Sequence, residues 1–185
     1  LHSFPTRRSS DLLFLGLLCL SFICAAGCGK EKVQPDVSLT DIVDRVKEAY
    51  GDSYIPQMTL DSETLEQKYG LTEDMYKEAL GEAAMISVQV DEFVAVHANE
   101  GRADDVETAL KDYQDYLINE AMNYPMNIGK INGSRVYRNG DYIFFIMLGD
   151  MPQEVMDGSE EDAKNYASEQ NEIAVKAIDQ ALEGN

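Results

Sequence analysis

The chain has no tryptophan, two histidines and three cysteines in 185 residues, and its 15 Lys and Arg are outnumbered by 34 Asp and Glu. Each shortage excludes something. Cys19, Cys24 and Cys28 all lie near the start, so the rest of the chain has no thiol for a disulfide, a Cys-ligated zinc or a cysteine nucleophile. Past residue 27 a single histidine is left, His97, too few for a histidine zinc site. A Ser-His-Asp site would need His97 as its base, yet no G-x-S-x-G elbow presents a serine. His97 is therefore expected to be a half-buried sheet residue. Carboxylate pairs are numerous, as they are by chance in so acidic a chain, but the tryptophan platform common in glycosidases is missing. "MDGSEEDAKN" has acid without the D-x-[DN]-x-[DN]-G spacing of a calcium loop. No cofactor or metal is expected. The scarcity of cations excludes nucleic acid as a partner, because phosphate binding requires clustered Lys and Arg.

Long apolar runs are also scarce; the one present is "LLFLGLLCLSFICAAGCGK", residues 12–30. Its apolar part is too short to span a bilayer as a helix, which takes about 20 residues, and it has no polar face to suit a core helix. A leader that is cut off fits better: Arg7 and Arg8 precede the run, and Ala25, Ala26 and Gly27 close it before Cys28. The segment resembles a bacterial lipoprotein signal, with Cys28 as the lipidated residue; Ala25 stands where leucine is usual. The opening "LHSFPTRRSSDL" resembles a translated adapter string, so the two arginines do not establish a native n-region. Residues 1–27 are expected to be a signal peptide, 28–37 a polar tether broken by Pro35, and 38–185 a single domain. Past residue 27 the net charge is about −20, which repels anionic headgroups and leaves acyl chains on Cys28 as the expected hold on the membrane.

In "SLTDIVDRVKEAYG", Leu39, Ile42, Val43, Val46 and Tyr50 fall at helical spacing behind a Ser38–Asp41 capping pattern. "DSETLEQKYG" and "TEDMYKEALG" read as two shorter helices. "MISVQV" and "EFVAVHA" read as strands meeting at Asp91, in a tight hairpin or one bulged strand. "GRADDVETALKDYQDYLINEA" is the clearest helix, lined by Ala103, Val106, Leu110, Tyr113 and Leu117. "SRVYRNGDYIFFIML" predicts a hairpin turning on Asn139-Gly140 as type I′, with Arg138 opposite Asp141, Tyr137 opposite Tyr142 and Val136 opposite Ile143. Tyr142 to Leu148 is apolar on both faces, which requires cover on at least one side. "SEEDAKNYASEQNEIAVKAIDQAL" closes the chain as a capped helix with Ala163, Tyr166, Gln170, Ile173, Ala177 and Ala181 along one side. The expected fold is α+β: an antiparallel sheet of about four strands, in the order helices, β-β-α-β-β-α, with helices mainly on one face.

The cysteine at the leader's cut, the first helix, the passage "VDEFVAVHANEGRADDVETAL", the hairpin and the closing "AIDQAL" together resemble domain-of-unknown-function family 4358, found in lipoproteins of Gram-positive gut bacteria. The resemblance runs from Ser38 to Leu182. It implies a lipid-anchored extracytoplasmic domain of α+β fold, and it brings no known activity and no functional residues.

Within the domain, "NYPMN" offers a candidate binding loop, in which Tyr124 and Met126 flank Pro125; packing of that aromatic onto the sheet is the plainer reading. Two function classes follow. The first is a non-catalytic module at the outer face of the cell membrane, binding an envelope protein, peptide or other component. The alternative is an envelope hydrolase or metal-dependent enzyme using converging carboxylates.

Overall fold

A computed structural model describes residues 36–184; the leader, Cys28 and most of the tether lie outside the described residues. Helix α1 (Leu39–Tyr50) begins at Ser38, whose hydroxyl accepts the Thr40 N–H, and ends in a 3-10 turn. A short strand β1 (Met58–Leu60) follows, then α2 (Ser62–Tyr69), capped by Asp61 accepting from the Thr64 N–H. Strands β2 (Tyr76–Ala83) and β3 (Glu92–Ala98) come next, then α3 (Ala103–Asn119) and the one-turn α4 (Ile128–Asn132). The hairpin β4 (Arg135–Asn139) and β5 (Tyr142–Met147), a short α5 (Gln153–Met156) and the long α6 (Glu160–Glu183) complete it.

The fold is α+β, with one antiparallel sheet in the order β1-β2-β3-β5-β4. It has five strands instead of four, because β1 is three residues long and too short to show a period. Helices cover both faces, not mainly one. Phe93 and Ala95 of β3 and Phe144 and Ile146 of β5 pack under α1 and α6, whereas Val94, Val96, Ile143 and Phe145 pack under α2 and α3. Every residue of β3 and β5 is buried, and a strand apolar on both sides has to be covered on both.

Four local expectations are corrected. "TEDMYKEALG" is a 3-10 turn followed by β2; its Glu, Lys, Ala and Leu favour helix, and pairing on both sides overrides that preference. "MISVQV" is the loop between β2 and β3, with Met85, Ile86 and Val88 exposed. The β4–β5 turn is centred on Gly140-Asp141, so Asn139 pairs with Tyr142 and Tyr137 with Phe144. Gly140 has φ +62° and no other residue type in the described chain has positive φ, which is the II′ pattern of glycine first. Because the partners move by two residues, each side chain keeps its expected face. On α6 the buried stripe runs through Ala163, Ala167, Asn171, Ala174 and Ile178, one position round from the expected Tyr166, Gln170 and Ile173.

Two contacts fix the ends of the sheet. At the end where β5 starts, the Val37 N–H donates to the Tyr142 hydroxyl (2.8 Å), which itself donates to the Val37 carbonyl (2.9 Å). At the other end, α4 lies directly on α6: a Cβ on Gly129 would stand 2.4 Å from Ala163 Cβ, and one on Gly133 2.6 Å from Ala167 Cβ.

Gly140→Val forces a β-branched residue to positive φ and should lower stability by roughly 1–3 kcal/mol. An unchanged melting temperature would refute the turn assignment.

Candidate functional site

The end of the sheet where β3 begins and β5 finishes is built from four segments: residues 51–57, the 84–91 loop, the 120–127 connection, and 148–158 around α5. Lys130 stands at its centre. The glycines on either side of it let α4 sit against α6, which aims the lysine inward. Its ammonium donates to Asp91 Oδ1 at 2.5 Å and to the Gly149 carbonyl at 2.6 Å, with Lys130 5% and Asp91 2% exposed. Burial pushes the Asp91 carboxyl above the usual range while the Lys130 ammonium pulls it back. The bond therefore ties α4 to the entrance of β3 and to the exit of β5 at once.

Above this pair opens a cleft of about 300 Å³, lined by Ile55, Val88, Met126, Asp150, Met151 and Met156 among others. Of the three residues expected in the binding loop, Met126 lines it. Pro125 starts a 3-10 turn, and Tyr124 points to solvent, 58% exposed, instead of packing on the sheet. The Asn127 side-chain amide donates to the Val88 carbonyl at 3.0 Å, joining this loop to the 84–91 loop. Met85, Ile86, Val88, Met122, Tyr124, Met126 and Met156 are all large, apolar and exposed, and all lie on these loops. Five of the chain's eight methionines (Met85, Met122, Met126, Met151 and Met156) gather here.

The other buried carboxylate, Glu92, and the half-buried Glu82 are occupied. Glu92 accepts the hydroxyls of Tyr69 and Tyr113, each at 2.8 Å, and pairs with Lys68. Burial first, and then that carboxylate, raise both tyrosine pKa values. Glu82 pairs with Lys47 at 2.6 Å and accepts from Tyr54 at 2.7 Å. Among the described residues no group of three or more His, Cys, Asp or Glu converges as a metal would require. His97 lies at the opposite end of β3, buried and stacked on Tyr142 with ring centroids 4.3 Å apart. A bulge in β2 between Tyr76 and Glu78 brings Lys77 Nζ to 3.1 Å from His97 Nε2. An ammonium only donates, so Nε2 accepts and the ring proton sits on Nδ1, 3.6 Å from Asp36.

A family model described as a domain of unknown function, DUF4358, matches residues 49–148. The chain belongs to that family. The DUF4358 match is narrower than the span from Ser38 to Leu182 over which the resemblance was read; it takes in the whole sheet, Asp91 and Lys130, and stops before α5 and α6. Neither a curated protein nor a solved structure matches the chain. Lys130 escaped the reading of the sequence, because a lone lysine between "IG" and "IN" carries no motif. Its one signal is a charge set among apolar residues and flanking glycines.

Lys130→Met leaves Asp91 buried without its cation and should cost about 3–5 kcal/mol in denaturant unfolding, whereas Lys130→Met combined with Asp91→Leu should recover part of that loss. A single variant as stable as the wild type would show the pair to be solvated.

His97 supplies a pH test. Burial, and then the Lys77 ammonium, hold its pKa below the ordinary value. The unfolded chain then takes up the proton first, so this contribution to stability is complete above about pH 6.5 and is lost as the pH falls toward the folded-state value. His97→Gln should flatten the stability slope just below about pH 6.5; parallel curves for the two proteins would contradict the neutral assignment.

Proposed function

We propose that this DUF4358 domain is a non-catalytic binding module of the cell envelope, carried on acyl chains at Cys28, that holds a protein or peptide through the methionine-lined end of its sheet. The observation that carries this reading is the set of exposed apolar side chains on adjoining loops around the cleft. Apolar surface gathered in one place marks interaction sites in soluble domains, and methionine, unbranched and polarizable, adapts to partners of varied shape. The carboxylates in and beside the core favour binding over hydrolysis: buried Asp91 and Glu92 and half-buried Glu82 are each held by a lysine, and the two glutamates also by tyrosine hydroxyls.

The anchor is consistent with the charge. No helix among the described residues is long and apolar enough to cross a membrane, and a chain of net charge −19 does not adhere to anionic lipid. Two acyl chains suffice for stable attachment where one does not. In membranes of a native host, a photo-crosslinker at position 126 should yield protein adducts, while one at position 100, in the turn after β3, should not. Equal labelling at both positions, or none at 126, would overturn the binding surface. Mass spectrometry should find Cys28 acylated at the new N-terminus; an unmodified Cys28 would overturn the anchor alone.

A further inference from the structure

Resting on that reading of the surface, we infer that its occupant is a cationic amphipathic segment of another protein. The apolar anchors are ringed by one sign of charge. The segments 51–57, 84–91, 120–127 and 148–158 contain no Lys or Arg, yet they hold the exposed acids Asp52, Glu120, Asp150, Glu154 and Asp157. The nearby Lys130 is withdrawn into the core and neutralised by Asp91. A partner therefore meets methionine side chains within a rim of exposed carboxylates. Apolar residues on one side of the partner fill the cleft, and its Lys or Arg reach the rim.

Other occupants fit less well. A second copy would bring the same carboxylates against the first set, and like charges set face to face are unfavourable. A bilayer is disfavoured by position: Asp36 and Val37 adjoin His97 and Tyr142, at the far end of β3 and β5 from the methionines. Seven residues of β3 separate the two ends, about 20 Å at the usual rise of a strand. Whatever lies before Asp36 joins the domain at the end opposite the cleft.

The absence of tryptophan makes the test direct. A synthetic leucine–lysine peptide of about five helical turns, carrying one tryptophan, is titrated with the purified domain while its fluorescence is followed. The expected result is a blue shift with micromolar affinity that weakens with salt, and no shift for the same peptide with glutamate in place of lysine. The combined Met85→Gln, Met122→Gln, Met126→Gln and Met156→Gln variant, whose net charge is unchanged, should bind about tenfold more weakly or worse. Glu154→Lys with Asp157→Lys should weaken binding similarly, whereas Glu73→Lys with Glu100→Lys, at the opposite end, should not. Folding of each variant is checked by its far-ultraviolet circular dichroism and melting curve. If lysine and glutamate peptides bind alike and the methionine variant loses both, the charge class is overturned and the binding surface stands. If the remote lysines weaken binding as much as the near ones, or the methionine variant binds like the wild type, attraction is diffuse and both fail. No binding of either peptide overturns the inference, leaving the surface to the crosslinking result. Co-sedimentation with phosphatidylcholine vesicles, or dimerisation that the methionine variant abolishes, would replace the peptide by lipid or by a second copy.

Discussion

Two strands without a polar face govern this molecule. From Phe93 to Val96 and from Tyr142 to Met147 the side chains are apolar above and below the sheet and all are buried. At about 25 cal/mol per Å² of apolar surface removed from water, such strands are stable only with cover on both sides. Helices α1 and α6 supply one cover and α2 and α3 the other. Pairing follows from the same demand. β3 and β5 lie side by side at the centre, while the short β1 and the arginine-bearing β4 take the edges, where charge discourages further strand addition.

With the middle of the sheet closed to polar groups, polar chemistry is pushed to the strand ends, and it is neutralised there. Glu92 opens β3 among two tyrosines and a lysine, His97 near its close stays uncharged between Lys77 and Tyr142, and Asp91 meets Lys130 just outside it. The charges that remain available lie on loops and on the outer faces of the helices. The end bounded by α4 differs from the other in carrying apolar side chains on those loops as well.

Reading the chain located α1, α3, α6, β3 and β5 because each carries an unambiguous period or a solid apolar run, and α2 by its closing glycine. It failed where two signals compete. β2 is written in helix-forming residues, and only its neighbours on both sides make it a strand. The exposed "MISVQV" loop imitates a strand because the β-branched, apolar residues that mark buried strands are here turned to solvent. The misreading has a physical cause: an exposed apolar loop and a core use the same residue types, and a single sequence does not reveal which of them find cover. The hairpin register slipped because Asn139-Gly140 and Gly140-Asp141 both suit a two-residue turn with Gly140 at positive φ, and only the φ at Asn139, which is not positive, distinguishes glycine-first from glycine-second. Tyr124 and Met126 were picked out from composition as candidates and are exposed, whereas Lys130 needed the approach of α4 to α6, a relation between distant segments.

The clasp between Val37 and Tyr142 has a mechanical meaning. Tyr142 begins β5, which is hydrogen-bonded to β3 on one side and β4 on the other. A pull applied at residue 36 is thus gripped by the interior of the sheet and by α1, not by an edge. Tension along the axis of β5 would be shared among many ladder bonds at once, whereas a load on β1 would peel them one at a time. Residue 36 is therefore a point from which the domain is well placed to stay folded under load.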